Sequence, residues 1–283
     1  MTMQILSAEQ KSSFGDQGYL VLPGFKTAAQ LQAATLRAHD IVEAFDPQAG
    51  ASRFSTRDRS LMADAQLIAS GSDVHCFFEE EALDAAGALT VPKSQSINKI
   101  GHALHDLDPV FVDFSHGPAL ARLAQDLGLQ QPQVWQSQII FKQPRIGGEV
   151  GWHQDATFFV TTPHTVTTFW FALEDATLDN GCLWVQPGGH RSPLREQYIG
   201  EDGQLRMQSL DSTPWPQTAT ALPLPVAAGT LVVFHGLLPH YSAANRSAHS
   251  RLAYTLHVTD GTAAYAPQNW LQRQADFPAR GLA

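Results

Sequence analysis

Gln133-Val134-Trp135-Gln136-Ser137-Gln138-Ile139-Ile140-Phe141 decides the architecture. Side chains alternate across an extended strand, so Val134, Gln136, Gln138 and Ile140 share one face and Trp135, Ser137, Ile139 and Phe141 the other. One face is apolar and one is wet. Residues 165–173, 182–185, 229–234 and 251–258 repeat the pattern, separated by the turn sequences Asp179-Asn180-Gly181 and Pro187-Gly188-Gly189. Upstream, Ser7-Ala8-Glu9-Gln10 has the form of a capping box opening a helix that ends near Gly18. Tyr19-Leu20-Val21-Leu22 and Ser96 to Gly101 read as strands, residues 27–45 as an amphipathic helix, and residues 109–127 as helical with a break at Gly117-Pro118. Residues 47–95 carry no clear period and are expected to be loops with short helical turns. Helices first and antiparallel-type strands after predict a mainly β chain: a double-sheet jelly roll with α-helices packed outside, whose interior can enclose a ligand. One domain over residues 1–283 is expected, its helical part about 1–130 and its jelly-roll core about 131–260.

Composition narrows the function. With 43% hydrophobic residues the chain has ample core material, and a net charge of −9 speaks against a general nucleic-acid or anionic-membrane partner. The two cysteines, Cys76 and Cys182, have no metal-binding spacing and read as reduced thiols. The N-terminus lacks the basic start and apolar run of a signal peptide, and no apolar stretch is long enough to span a bilayer. A cytoplasmic protein acting on a small molecule is expected.

The candidate chemistry lies in Gly151-Trp152-His153-Gln154-Asp155. On an extended strand His153 and Asp155 would offer an imidazole nitrogen and a carboxylate oxygen to one metal. Two His and one carboxylate leave positions open on the opposite side of the ion, as in non-haem Fe(II) oxygenases. The second histidine is sought among His235, His240, His249 and His257. A 2-oxo dicarboxylate needs a fixed cation, and the planar fork of Arg pairs with a carboxylate through two hydrogen bonds. Arg251 follows His240 by 11 residues, and the same separation joins His235 to Arg246, so spacing leaves both pairs open. Arg246 lies in a polar loop, whereas Arg251 opens an alternating strand on a face shared with small Ala253 and Thr255. His240 with Arg251 is therefore preferred. His190 is expected to serve a turn, and His102, His105, His116 and His164 to sit at the surface or satisfy local hydrogen bonds.

Trp152 to Asp155, Asn180-Gly181-Cys182-Leu183-Trp184-Val185-Gln186-Pro187-Gly188-Gly189-His190, and Phe234-His235-Gly236 through His240 to Arg251 resemble the phytanoyl-CoA dioxygenase family. The likeness runs from Gly18-Tyr19-Leu20-Val21-Leu22-Pro23-Gly24 to Asn269-Trp270. It implies a double-stranded β-helix of the jelly-roll, cupin-like kind, Fe(II) held by His153, Asp155 and His240, and 2-oxoglutarate bound by Arg251 with help from Ser242. Lys99, Gln138 and Trp170 match positions lining the co-substrate pocket, Gln138 standing where relatives usually carry methionine. The implied reaction hydroxylates a C–H bond of a small organic or acyl substrate with O2, releasing succinate and CO2. Two rivals use the same residues: a zinc hydrolase, against which Arg251 speaks, and a non-catalytic jelly roll binding a metal or small acid. Halogenation is disfavoured because Asp155 is present. A CoA thioester would need cations for its phosphates, for which Lys142, Arg145, Arg191 and Arg195 are candidates. Residues 47–95 and 196–225 are expected to contribute lids.

Overall fold

The computed structural model describes residues 4–47, 52–53, 65–201 and 204–283. Its helices are α1 (Ala8–Gln17), α2 (Ala28–Ala44), α3 (Ala65–Ala69), α4 (Leu104–Leu107), α5 (Pro109–Ser115) and α6 (Pro118–Asp126). Its strands are β1 (Tyr19–Leu22), β2 (Val74–Phe78), β3 (Ile97–His102), β4 (Pro132–Lys142), β5 (Val150–His153), β6 (Thr161–Thr162), β7 (Thr167–Ala172) and β8 (Leu183–Val185). They continue with β9 (Glu196–Glu201), β10 (Gln204–Ser209), β11 (Leu222–Leu224), β12 (Leu231–His235), β13 (His240–Ser242), β14 (Arg251–Asp260), β15 (Ala264–Tyr265) and β16 (Arg280–Gly281).

The larger sheet runs β1-β12-β7-β14-β4-β3-β2, with β16 also on β4, and the smaller runs β11-β8-β13-β5. Among the described residues, all pairings of named strands are antiparallel. The two sheets form the double-stranded β-helix, mainly β with helices outside. Its core is layered by the alternation along each strand. Phe141, Phe171, Leu252 and Tyr254 face outward into a cluster with Ala34, Ala38 and Val42 of α2 and Phe111 and Phe114 of α5. Trp170, Ala172, Val232, Phe234 and Ala253 face inward and meet Leu183 and Val185 of the smaller sheet.

Local signals act as expected at several ends. Ser7 and Gln10 satisfy each other's free amides, and α1 stops at Gly18, whose φ of 81° closes the helix with a bond to the Phe14 carbonyl. A second capping box, Thr27 with Gln30, starts α2. Gly117-Pro118 separates α5 from α6.

Three differences from the sequence reading have physical causes. Val74–Phe78 is a strand rather than a loop, because it covers the free edge of β3 in a register from Val74 with His102 to Phe78 with Ile97. Residues 48–51 and 54–64 of that loop reading lie outside the described residues. In β4, Gln136 pairs with His257 but Val134 pairs with Val258, so Trp135 is bulged out. The alternation then slips: Val134 joins the helix-side core, and Trp135 stacks on Tyr265 with ring centroids 3.6 Å apart. Finally, strands β1, β2 and β3, all from the N-terminal part, complete both edges of the larger sheet. Among the described residues, no helix is long and apolar enough to cross a membrane.

Candidate metal centre and co-substrate pocket

His153 ends β5, and His240 begins β13; the two are direct cross-strand partners. Their ring centroids lie 4.0 Å apart. Asp155 follows β5 and opens a short 3-10 turn that turns its carboxylate back to the imidazoles. Oδ1 of Asp155 lies 3.5 Å from His153 Nε2 and 3.6 Å from His240 Nε2. One donor atom from each of the three residues lies within 4.8 Å of the others, and these residues are the metal-ligating cluster found among the described residues.

The ring orientations suit metal binding. His153 Nδ1 donates to the Gly151 carbonyl at 2.8 Å and His240 Nδ1 to that of Leu238 at 3.0 Å. A proton placed on Nδ1 by these bonds leaves Nε2 with its lone pair toward the cluster. Burial, reinforced by the neighbouring His153, lowers the His240 pKa to about 4, so the imidazole is a neutral ligand near pH 7. Burial by itself would raise the Asp155 carboxyl, but the imidazoles of His240 and His257 outweigh it and hold the group well below the usual carboxylate range.

Beside this cluster the cavity wall carries Lys99, Gln138, Trp170, Ser242, Arg251 and Thr255. Arg251 is 2% exposed, yet its Nε and Nη1 have no hydrogen-bond partner. Nη2 reaches Ser242 Oγ at 3.4 Å, and Cζ lies 5.6 Å from the Trp170 ring centroid. Burial lowers the guanidinium pKa to about 10, so it remains charged. A buried charge without a paired carboxylate costs about 3–5 kcal/mol. Lys99, on β3, is also buried, and desolvation lowers its ammonium to about 7. A second stretch of wall is apolar and aromatic: Leu67, Phe158, Tyr198, Met207 and Trp270. Phe158 meets His153 at 6.4 Å and Tyr198 at 5.7 Å between ring centroids. The β9–β10 hairpin, from the segment expected to form a lid, brings Tyr198 and Met207 to the cavity.

The other sequence candidates lie elsewhere. His235 accepts from the Leu237 amide through Nδ1 and packs on His190, and His249 is exposed. His190 sits in a short turn against Gly15. His164 is exposed and His116 half-buried, bonding to backbone carbonyls. His102 and His105 are fully buried, and their bonds are not local: His102 pairs with Ser70 and His105 with Ser137 across the fold. His102 also lines the cavity. None of the four cations considered for CoA phosphates lines it. Lys142 donates to the carbonyls of Gly148, Ser242 and Ala243, and Arg195 to those of Thr213 and Pro214. Arg145 and Arg191 are exposed.

Two further residues stand beside the cluster: Thr168, which the sequence reading did not single out, and His257, which it weighed only as an alternative metal ligand. Thr168 Oγ1 donates to Asp155 Oδ2 at 2.5 Å, and His257 Nε2 lies 3.5 Å from the same oxygen. Counting by twos from Arg251 along β14 reaches Ala253, Thr255 and His257, so the period that placed Arg251 could have placed His257.

Two imidazoles and one carboxylate fit a divalent iron with open positions, and the orphaned guanidinium fits the far carboxylate of a dicarboxylate. This centre, on this fold, places the chain among the iron- and 2-oxoglutarate-dependent oxygenases. The profile of the phytanoyl-CoA dioxygenase (PhyH) family matches residues 14–253, and the chain belongs to that family. It is 42% identical, over 98% of each chain, to phytanoyl-CoA dioxygenase domain-containing protein 1 of Mus musculus. The fold is shared with EctD from S. alaskensis, solved with 2-oxoglutarate and 5-hydroxyectoine (TM-score 0.65, 21% identity, covering 99% of this chain and 87% of that one). It is also shared with the epimerase SnoN in complex with Fe3+, alpha ketoglutarate and nogalamycin RO (TM-score 0.65, 18% identity, 97% and 92%).

Proposed function

We propose that the protein is a cytoplasmic Fe(II)/2-oxoglutarate-dependent hydroxylase of a small organic or acyl substrate, its 283 residues working as one domain. His153, Asp155 and His240 hold the iron in this reading. Arg251, steadied by Ser242, takes the distal carboxylate of 2-oxoglutarate, and Lys99, Gln138 and Trp170 complete that pocket. The observation that carries the reading is the buried Arg251 guanidinium with two unpartnered nitrogens on the cavity wall. A hydrolytic zinc site has no use for such a cation, whereas a dicarboxylate neutralises it. When bound, Fe(II) with 2-oxoglutarate and O2 supplies the oxidising chemistry and yields succinate and CO2. The protein's own part is placement. Nδ1 bonds hold both imidazoles in one tautomer, and Trp170 lies beside the guanidinium. The aromatic wall of Phe158, Tyr198 and Trp270 keeps water from the substrate's reacting carbon.

The test is anaerobic loading with Fe(II) and 2-oxoglutarate, then exposure to oxygen. Slow succinate release is expected without substrate, and faster release with a metabolite extract in which one compound gains the mass of one oxygen. No succinate under either condition would leave a metal- or acid-binding protein. Zinc-dependent hydrolysis without 2-oxoglutarate would establish the hydrolase.

Lys99 makes 2-oxoglutarate binding depend on pH. In the free site its ammonium titrates at about 7, below the usual 10.5, because burial disfavours the charge. A bound dianion favours the charged form, so above pH 7 binding takes up a proton. Affinity then falls as pH rises, by up to about tenfold per pH unit above 7. Calorimetry from pH 6 to 9 should show this slope in wild type, and Lys99→Met should be weaker at pH 6 with a flatter profile. An unchanged slope in Lys99→Met would assign the proton elsewhere.

A further inference from the structure

The two oxygens of Asp155 face different company. Oδ1 faces His153 and His240, and Oδ2 faces Thr168 and His257. Thr168 on β7 and His257 on β14 are direct cross-strand partners, so their side chains leave the sheet together and arrive at one oxygen. They are 1% and 4% exposed. The His257 ring stacks on Phe159, with centroids 4.9 Å apart and an interplanar angle of 27°, which sets its plane. His257 Nδ1 is buried without a hydrogen-bond partner. A bare lone pair is tolerated there more readily than an unpaired N–H. The proton therefore sits on Nε2, toward the carboxylate.

We propose that Thr168 and His257 are positioning residues that retain Asp155 Oδ2, so that the carboxylate offers the metal Oδ1 alone. The inference rests on the iron and 2-oxoglutarate reading above. A carboxylate can bind a cation through one oxygen or two. Three protein donors and a chelating 2-oxo acid would leave a six-coordinate metal one position for oxygen. A second carboxylate oxygen would fill it. Thr168, well within hydrogen-bond distance, is the stronger restraint; His257 lies at the outer limit of a hydrogen bond and acts as a second donor in the same direction.

Nitric oxide, a stable stand-in for oxygen, reports the vacant position without turnover. The variants are Thr168→Val, which keeps the shape and removes the hydroxyl, His257→Phe, the double variant, and Thr168→Ser as the conservative rescue. Each would be loaded anaerobically with Fe(II) and 2-oxoglutarate and titrated with nitric oxide by electron paramagnetic resonance. Metal and 2-oxoglutarate affinities would be measured alongside. Outer partners of metal ligands are commonly worth about 10–100-fold. Nitric oxide affinity is expected to fall about tenfold in Thr168→Val and further in the double variant, with metal affinity kept and Thr168→Ser close to wild type. Unchanged nitric oxide affinity in a double variant that still binds both ligands would overturn the inference. So would loss of the metal from Thr168→Val, which would mean that the residue retains the ion rather than limiting the carboxylate to one oxygen. If the double variant does not fold, the single variants decide by the same outcomes. Wild type that forms no Fe(II)–2-oxoglutarate complex would instead refute the functional reading itself.

Discussion

Asp155→Ala and His240→Ala are each expected to lose the metal and all turnover. The three donor atoms converge within 4.8 Å, and each residue supplies one. Removing an outer partner of a metal ligand already lowers affinity or activity by about 10–100-fold, so removing a donor itself should exceed that. His153→Ala should behave alike. His235→Ala is the informative control, because its imidazole is engaged with the Leu237 amide and packs on His190 rather than on the cluster. Calorimetry with Fe(II), or with Mn(II) in air, measures the result. Metal binding retained by His240→Ala but lost by His235→Ala would transfer the second imidazole to His235.

Arg251→Ala should leave metal binding intact and weaken 2-oxoglutarate. Truncating one partner of a buried charge pair commonly costs about 2–5 kcal/mol, which corresponds to roughly 30-fold or more in affinity. The visible absorption of the anaerobic complex gives the affinity. Arg251→Lys should recover part of it, since a point charge reaches the carboxylate without the planar fork. Equal affinity in Arg251→Ala and wild type would remove the clamp and with it the argument against hydrolysis.

These expectations differ in how they could be reached. His153 and Asp155 are legible as a pair because two residues apart is close enough for any local backbone to bring them together. The structure does so with a strand end and a turn instead of one continuous strand. Arg251 was legible through the alternation of residues 251–257, which distinguished it from Arg246 in its loop. The same alternation contained His257, but a histidine's partner cannot be read from period alone. Its neighbour Thr168 comes from β7, and the pairing is a matter of register between distant segments. The bulge at Trp135 is similar: nothing in residues 132–142 says that one residue is unpaired until Val258 is laid beside Val134.

By itself, then, the sequence determined what is periodic or local: the strand-rich second half, the capping boxes, the break at Gly117-Pro118, the His153–Asp155 pair and the inward face of the Arg251 strand. Only the tertiary structure decided what depends on a partner remote in the chain. Val74–Phe78 became a strand because β3 had an edge to cover, and Lys99 reached the pocket because β3 pairs with β4. His102 and His105 were buried and bonded to Ser70 and Ser137, and Lys142 was turned onto three carbonyls. The physical reason is common to all of them. A side chain's period follows from backbone geometry, which neighbours in sequence share, whereas its burial, protonation and partner follow from the free energy of groups that meet only on folding.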